Sequence, residues 1–522
     1  MRSAGERDWA EPLLFLLAGA LLLFCSGTSP LYVVHDWTDP NTYLTMGRGL
    51  LHGAVPYRDL FDHKGPLLYA VFALGALIDP RGFTGVFLLQ ILSLGAALRS
   101  LYRLGLLVTG RGRAFLCAAA LPVFLLSAGV YYLPDRLDYG GASAEEFCLP
   151  LIAGALYLSA RCEAEGRWSR GRWALLGLTM GCVVQIKFTI ALFWVGLLAP
   201  VLLGGALRRQ WSRLARGVGW GLLGLGGSLV PYLLYGAATG SLDDFARAYF
   251  QFNLSYARGD AAGLPALLAR TAAEGLGTLR DIPVLAAALA LLCLGLPLLK
   301  GLPARWRLSV LGGFGGLALA IWAGRVMPYA LLPLLLAAHG GLLGMASRLP
   351  PWRLWERAGT KLLLAGVLVL LAALQNQMYA HKPLAWSGER TCQEEVAELV
   401  RAGPWEEPTI LEAGMLSRGF YNQLGQVPRT RFFYLPNVTY SQHPEILDSQ
   451  RAAILRRETD YVILQSGQPA LNREAMEPGQ AMLYQAVRGG YEERAVVRGT
   501  GAVDHLYYHI FMRKERAGTV TL

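Results

Sequence analysis

At 522 residues, with 54% hydrophobic and only 16% charged residues and a mean hydropathy of +0.36, the chain is too apolar for an ordinary soluble enzyme. The formal net charge of +11 does not signal nucleic acid, because the basic residues fall in short clusters between apolar runs, as in cytoplasmic loops. Of the seven cysteines only Cys392 lies in the polar C-terminal part, so no disulfide forms within it, and no CxxC or Cys/His cluster suggests zinc.

Apolar runs of roughly twenty residues, each long enough to cross a membrane, recur from Pro12 to Ala380 and predict a polytopic α-helical membrane protein. Residues 12–31 read as a retained first helix, since no small-residue cleavage site precedes Tyr32. Basic clusters at Arg2/Arg7, 99–113, 161–172, 208–216, 300–307 and 348–361 place the N-terminus in the cytoplasm and residues 36–66 outside. Residues 65–78 are short for a span, and counting them as one would put 99–113 on the wrong side. They read as a juxtamembrane or re-entrant helix against the outer leaflet. Further spans fall at 83–101, 114–132, 145–161, 172–187, 189–207, 216–236, 282–299, 308–324, 326–346 and 361–380. Basic residues at both ends of 173–207 make it a hairpin turning near Lys187. The total is about eleven transmembrane helices.

Three further pieces fall outside. Residues 131–146 join two helices, and 241–281 carry aromatics at helical spacing and lie flat in the interface. Residues 386–522 are polar and mixed, with a helix at 394–401 and strands at 409–412, 460–465 and 507–512. The predicted organisation is a transmembrane module over 1–383, with its first extracytoplasmic loop at 32–82, followed by an extracytoplasmic α/β domain over 384–522. No internal repeat supports an inverted-repeat transporter.

Chemistry concentrates in 36–66, where Asp36, Asp39, Arg58, Asp59, Asp62, His63 and Lys64 crowd against a bilayer that makes ionisable groups costly. Asp39-Pro40 opens a helix with Tyr43, Met46, Leu50 and Leu51 on its apolar side and Arg48 and His52 on its polar side. Asp39 suits both an N-cap before proline and a general base, and the two roles can coexist. Arg58 and Asp59 read individually as a solvated turn. Lys64 sits immediately before an apolar helix, where a snorkelling lysine and a point charge for phosphate are the two readings. Glu145 and Glu146 suit a solvated helix start as well as a second acidic site facing the loop.

Asp39-x-x-x-Tyr43, Gly53-x-x-Pro56-Tyr57 and Phe61-Asp62-x-Lys64-x-Pro66-Leu67 together resemble the first extracytoplasmic loop of GT-C glycosyltransferases. The protein O-mannosyltransferase and lipid A aminoarabinose transferase branch (glycosyltransferase family 39-like) is the most similar. The resemblance implies a GT-C-like fold and transfer of a sugar from a polyprenyl-phosphate donor to a lipid, glycan or protein acceptor on the extracytoplasmic face. It implies a catalytic carboxylate at Asp39 or Asp36, with Asp62 a further candidate, and donor-phosphate ligands at Lys64, Lys187 and Arg325. Tyr43, Arg58, His63, Tyr329, Glu145 and Glu146 complete the expected site lining. Pro40 stands where the family has its second acid, and Lys64-Gly-Pro replaces Lys-Pro-Pro. The one cofactor it leaves open is a divalent ion, magnesium or manganese, which branches of the family use unequally. The expected mechanism is an inverting transfer with membrane lipids as surroundings and no nucleic-acid partner. The competing readings are a transporter or flippase of a lipid-linked or anionic substrate, and a scaffold that presents the C-terminal domain.

Overall fold

The computed structural model describes residues 9–127, 140–258, 264–324, 326–350, 357–379, 387–501 and 505–514. Its first part is helical: α1 (Ala10–Cys25), α2 (Thr38–Leu51), α3 (Pro66–Ile78), α4 (Thr84–Leu106), α5 (Arg111–Ala119), α6 (Leu121–Ser127), α7 (Ala144–Ala164), α8 (Arg170–Lys187), α9 (Leu192–Leu207) and α10 (Trp211–Thr239). There follow α11 (Leu242–Phe245), α12 (Phe252–Arg258), α13 (Leu264–Asp281), α14 (Pro283–Gly295), α15 (Ala304–Trp322), a 3-10 segment Pro328–Leu336, α16 (Ala337–Ala346) and α17 (Ala358–Tyr379).

Among the described residues, five helical stretches are long and apolar enough to cross a membrane: Thr84–Leu106, Ala144–Ala164, Arg170–Leu207, Trp211–Thr239 and Pro328–Ala346. The pair Pro265–Asp281 and Pro283–Leu298, bent by 105°, makes a sixth if counted as one broken span. Arg170–Leu207 folds back on itself. Lys187 leaves helical geometry at φ −151°, ψ 97°, and beyond the turn the Trp194 indole donates to Thr179 Oγ1 at 3.2 Å. Glycines let the backbones approach closely: Gly177 of α8 meets Gly221 of α10, Gly196 of α9 meets Gly312 of α15, and Gly295 of α14 meets Gly344 of α16. Small residues at such crossings substitute packing for a hydrophobic driving force that lipid does not supply.

The basic turns gather at one end of the bundle. Arg99 and Arg103 both bind Glu11, Arg113 donates to the Ala346 carbonyl, and Arg305 pairs with Glu163 at 2.7 Å. Both ends of α3 lie at the opposite end. At its N-terminus Gly65 N–H donates to the Ile186 carbonyl. Past its C-terminus, Pro80 O accepts from Arg48, and Arg81 lies against Gly425. Thirteen residues reach only about 20 Å, and Leu74, Leu77 and Ile78 stay exposed. Helix α3 therefore lies across the head of the bundle rather than through it.

The C-terminal region forms β1 (Ile410–Glu412), β2 (Tyr461–Ser466), β3 (Tyr491–Arg498) and β4 (Tyr507–Arg513), in the order β1-β2-β4-β3. The β1–β2 pair is parallel and the others antiparallel. Around them stand α18 (Cys392–Arg401), α19 (Phe420–Leu424), α20 (Pro444–Arg456) and α21 (Pro478–Gly490). Strand β3 lies outside the expected set. It is an edge strand with Glu492, Glu493 and Arg494 exposed and a register shift after Glu493, and such charge protects an edge while erasing apolar alternation.

One continuous apolar core joins the sheet to the bundle, running through Tyr43, Phe61 and Phe72 to Phe433, Tyr434 and Tyr508. Polar bolts cross the same seam. Asn422 Nδ2 donates to Asn41 Oδ1 at 2.9 Å. Arg48, expected on a solvated face, is instead buried at 2% exposure. Its guanidinium donates to the carbonyls of Pro80, Tyr421 and Gln426, and burial lowers its pKa to about 10. Arg48→Met leaves those carbonyls unpaired at roughly 1–3 kcal/mol each when buried. It is expected to lower the thermal midpoint of the detergent-purified protein and to expose the sheet region to limited proteolysis.

Candidate active site

Helix α2 begins at Thr38 with Trp37 in the cap position and no side-chain cap. Asp39 thus sits inside the first turn, not at the N-cap. Pro40 follows within the same turn, where its missing N–H leaves no helical bond unmade. The Asp39 carboxylate is released from capping and instead accepts from the Tyr43 hydroxyl at 2.8 Å. Lys64 Nζ approaches Asp39 Oδ2 to 3.9 Å, lies 2.9 Å from His63 Nε2 and stands over the Tyr43 ring.

The main chain that carries Lys64 is held from three sides. Its N–H donates to Tyr69 Oη at 3.0 Å, and its carbonyl accepts from Tyr57 Oη at 2.8 Å. Asn253 Nδ2 donates to the His63 carbonyl at 2.6 Å. At Gly65 a Cβ would fall 2.0 Å from the Gln185 carbonyl oxygen, so only glycine permits this contact.

Asp62 lies beneath the site rather than in it. Its carboxylate is buried and accepts from Tyr69 Oη at 2.8 Å and Tyr434 Oη at 2.7 Å, with His63 Nδ1 3.3 Å away. Burial pushes its pKa up, but His63, Lys64 and Tyr434 outweigh that and hold it well below the usual carboxylate range. A carboxylate so engaged positions its neighbours and is a poor proton acceptor. His63 is held below the usual histidine range by burial and by Lys64, against the pull of Asp62. It is neutral near pH 7.

Across the site, Lys187 at the head of α8 pairs with Glu145 at 2.5 Å and stands over the Tyr329 ring, which contacts Trp37. Asp39, His63, Lys64, Lys187 and Tyr329 all line one cavity of about 250 Å³. Its apolar lining includes Ile186, Ile190, Ala320, Ile321 and Leu254, and the sheet region adds Leu416, Tyr434, Pro436 and Asn437. Trp37, Tyr249 and Tyr434 were not singled out as site residues in the sequence. Asn253 and Asn437 do head Asn-x-Ser/Thr triplets, a pattern that signals glycosylation rather than cavity lining.

Several expected site residues fall elsewhere. Arg58 is half-exposed, paired with Asp59, and donates to the Thr239 carbonyl. Glu146 accepts from Gln90 Nε2 at 2.6 Å within the bundle. Arg325 lies outside the described residues. Asp36 is buried against the sheet region, where Arg418 Nη1 is 3.4 Å from its carbonyl oxygen, and it does not line the cavity. Among the described residues no three His, Cys, Asp or Glu side chains converge as a metal site. One oxygen of Asp39 meets Tyr43 and Lys64, and one of Glu145 meets Lys187.

Near Asp36, at the end of β1, Glu412 is buried and its carboxyl is raised to about 8, chiefly by burial. The folded state therefore keeps a proton that the unfolded chain, with a pKa of about 4.3, has lost. Stability should fall as pH rises between those two values, by about 1.4 kcal/mol per unit. Glu412→Gln is expected to flatten this slope in thermal unfolding across the same range.

No protein-family model matches the chain, and no curated protein matches it. Solved structures do. ArnT from Cupriavidus metallidurans bound to undecaprenyl phosphate is similar at a TM-score of 0.57 and 12% identity, over 96% of this chain and 97% of that one. Its apo state is similar at 0.57 and 14%, over the same shares. The arabinofuranosyltransferase AftD from Mycobacteria is similar at 0.52 and 16%, over 99% of this chain and 40% of that one. These neighbours are GT-C glycosyltransferases, and the chain has their fold.

Proposed function

We propose that the protein is a membrane glycosyltransferase that moves a sugar from a polyprenyl-phosphate donor to an acceptor hydroxyl at the extracytoplasmic face, with inversion. The observation that carries this reading is the Asp39 carboxylate 3.9 Å from the Lys64 ammonium, in a cavity that is also lined by Lys187 and by apolar side chains. The similar ArnT structure contains undecaprenyl phosphate, a ligand with the same division into a charged head and an apolar chain.

In this reading the donor phosphate sits between Lys64 and Lys187, with Arg325 a third candidate ligand, and the prenyl chain leaves along Ile186, Ile190 and Ile321. Asp39 takes the proton of the acceptor hydroxyl. The acceptor oxygen forms its bond to the anomeric carbon as the carbon–oxygen bond to phosphate breaks, and polyprenyl phosphate departs with the bonding electrons. The two ammonium groups stabilise the charge that grows on the leaving phosphate, and Tyr43 orients the base.

The bundle is read as about eleven crossings, with the basic end in the cytoplasm and the sheet region outside. The charged groups lie at the head of the bundle rather than in mid-span, which weighs against a transporter. Because a general base contributes about 10²–10⁴-fold, Asp39→Asn should cut transfer from a polyprenyl-phosphate sugar by that factor while the protein still purifies as a folded monodisperse species. Wild-type turnover in that variant would sink the assignment. Lys187→Ala should lower kcat by about tenfold or more, with a rise in the donor KM beside it.

A further inference from the structure

The His63–Lys64 pair has a geometry that the transfer chemistry does not require. The Lys64 ammonium can only donate, so its 2.9 Å contact makes His63 Nε2 the acceptor and puts the ring proton of the neutral imidazole on Nδ1, which lies 3.3 Å from Asp62 Oδ1. We propose, on the basis of the donor-phosphate role given to Lys64 above, that neutral His63 is a positioning residue that latches the Lys64 ammonium toward the cavity, and that protonation of His63 releases it. An imidazolium would bring a second N–H and a second positive charge against the ammonium where there is now a lone pair.

The surroundings leave the ring little choice of position. Phe252 lies against it at 5.2 Å between centroids, Asn253 pins its carbonyl, and Gly65 is locked on Ile186. The charged and titratable groups around it are Asp62 and Lys64 on its own segment, and Asp39 and Tyr43 on α2. Beyond these are Tyr69 on α3, Lys187 across the cavity and Tyr434 from the sheet region, while His443 also packs against Phe252 at 4.4 Å between ring centroids. Asp62 is clamped by two phenols and stays ionised, so acidification acts on this chain of contacts through His63. Burial and Lys64 set that change below the ordinary histidine range.

The latch can be read without turnover, because holding the phosphate does not require the chemical step. Binding of a labelled polyprenyl monophosphate to the full-length protein in nanodiscs, from about pH 5 to about pH 8, reads it directly. His63→Gln supplies an acceptor that does not titrate. It should keep wild-type affinity at neutral pH within about threefold and lose the wild type's extra weakening on acidification, leaving only the phosphate's own titration. His63→Ala should bind about tenfold more weakly at neutral pH, with the same thermal midpoint as His63→Gln. Wild-type affinity in His63→Ala, or an unchanged acid weakening in His63→Gln, overturns the latch and leaves the transferase reading standing. Failure of the wild type to bind the lipid overturns both.

Discussion

Carrying two ammonium groups into the head of an apolar bundle requires fixed counter-charges, and that requirement shapes the loops around them. Lys64 is met by Asp39 and Lys187 by Glu145. Each pair joins two separate elements, so neither cation can be placed without the fold around it. The extended backbone at Lys187 ends α8 and points the side chain at Glu145 instead of continuing the helix. Charges in such surroundings act strongly on whatever enters, because little water screens them. They also cost no reorganisation if their positions are already set, which is the condition for electrostatic stabilisation of a leaving phosphate.

That precision comes from confinement on both sides. The bundle supplies Tyr57, Tyr69 and Asn253 to the backbone of residues 63–64. The sheet region supplies Tyr434 to Asp62, and the Arg431 carbonyl accepts from Phe61 N–H. Arg48 and Asn422 then bolt the sheet to α2. The C-terminal region is thus part of the cavity wall as well as a lid on the bundle. On the proposed chemistry, an acceptor approaching that wall meets Asp39 from the side of Tyr434 and Asn437.

Much of this was legible in the residues. Asp39, Lys64, Lys187, Tyr43 and Tyr329 stand together as their spacing and the family resemblance suggested, because charge beside an apolar run is a local signal. The short α3 was readable from the length of its apolar run. The roles of Asp62 and Arg48 were not. Asp62 depends on Tyr434, 372 positions away, and Arg48 on carbonyls of Tyr421 and Gln426, pairings that no local pattern encodes. Asp36 sits in the same charged stretch as Asp39, but no local pattern says that Asp36 is buried with its carbonyl against Arg418 while Asp39 enters the first turn of α2 and lines the cavity. Arg58 read as part of a solvated turn from its own residues and as site lining only through the resemblance, and its half-exposed pairing with Asp59 is of the kind that contributes little.

The central claim is that one phosphate is held between Lys64 and Lys187, with its chain along Ile186, Ile190 and Ile321. Cryo-electron microscopy of the protein in nanodiscs with saturating polyprenyl monophosphate tests this most directly. The account predicts phosphate density within hydrogen-bonding distance of both ammonium groups, beside the Asp39 carboxylate. Lipid density bound elsewhere on the protein, with this cavity empty, would contradict it.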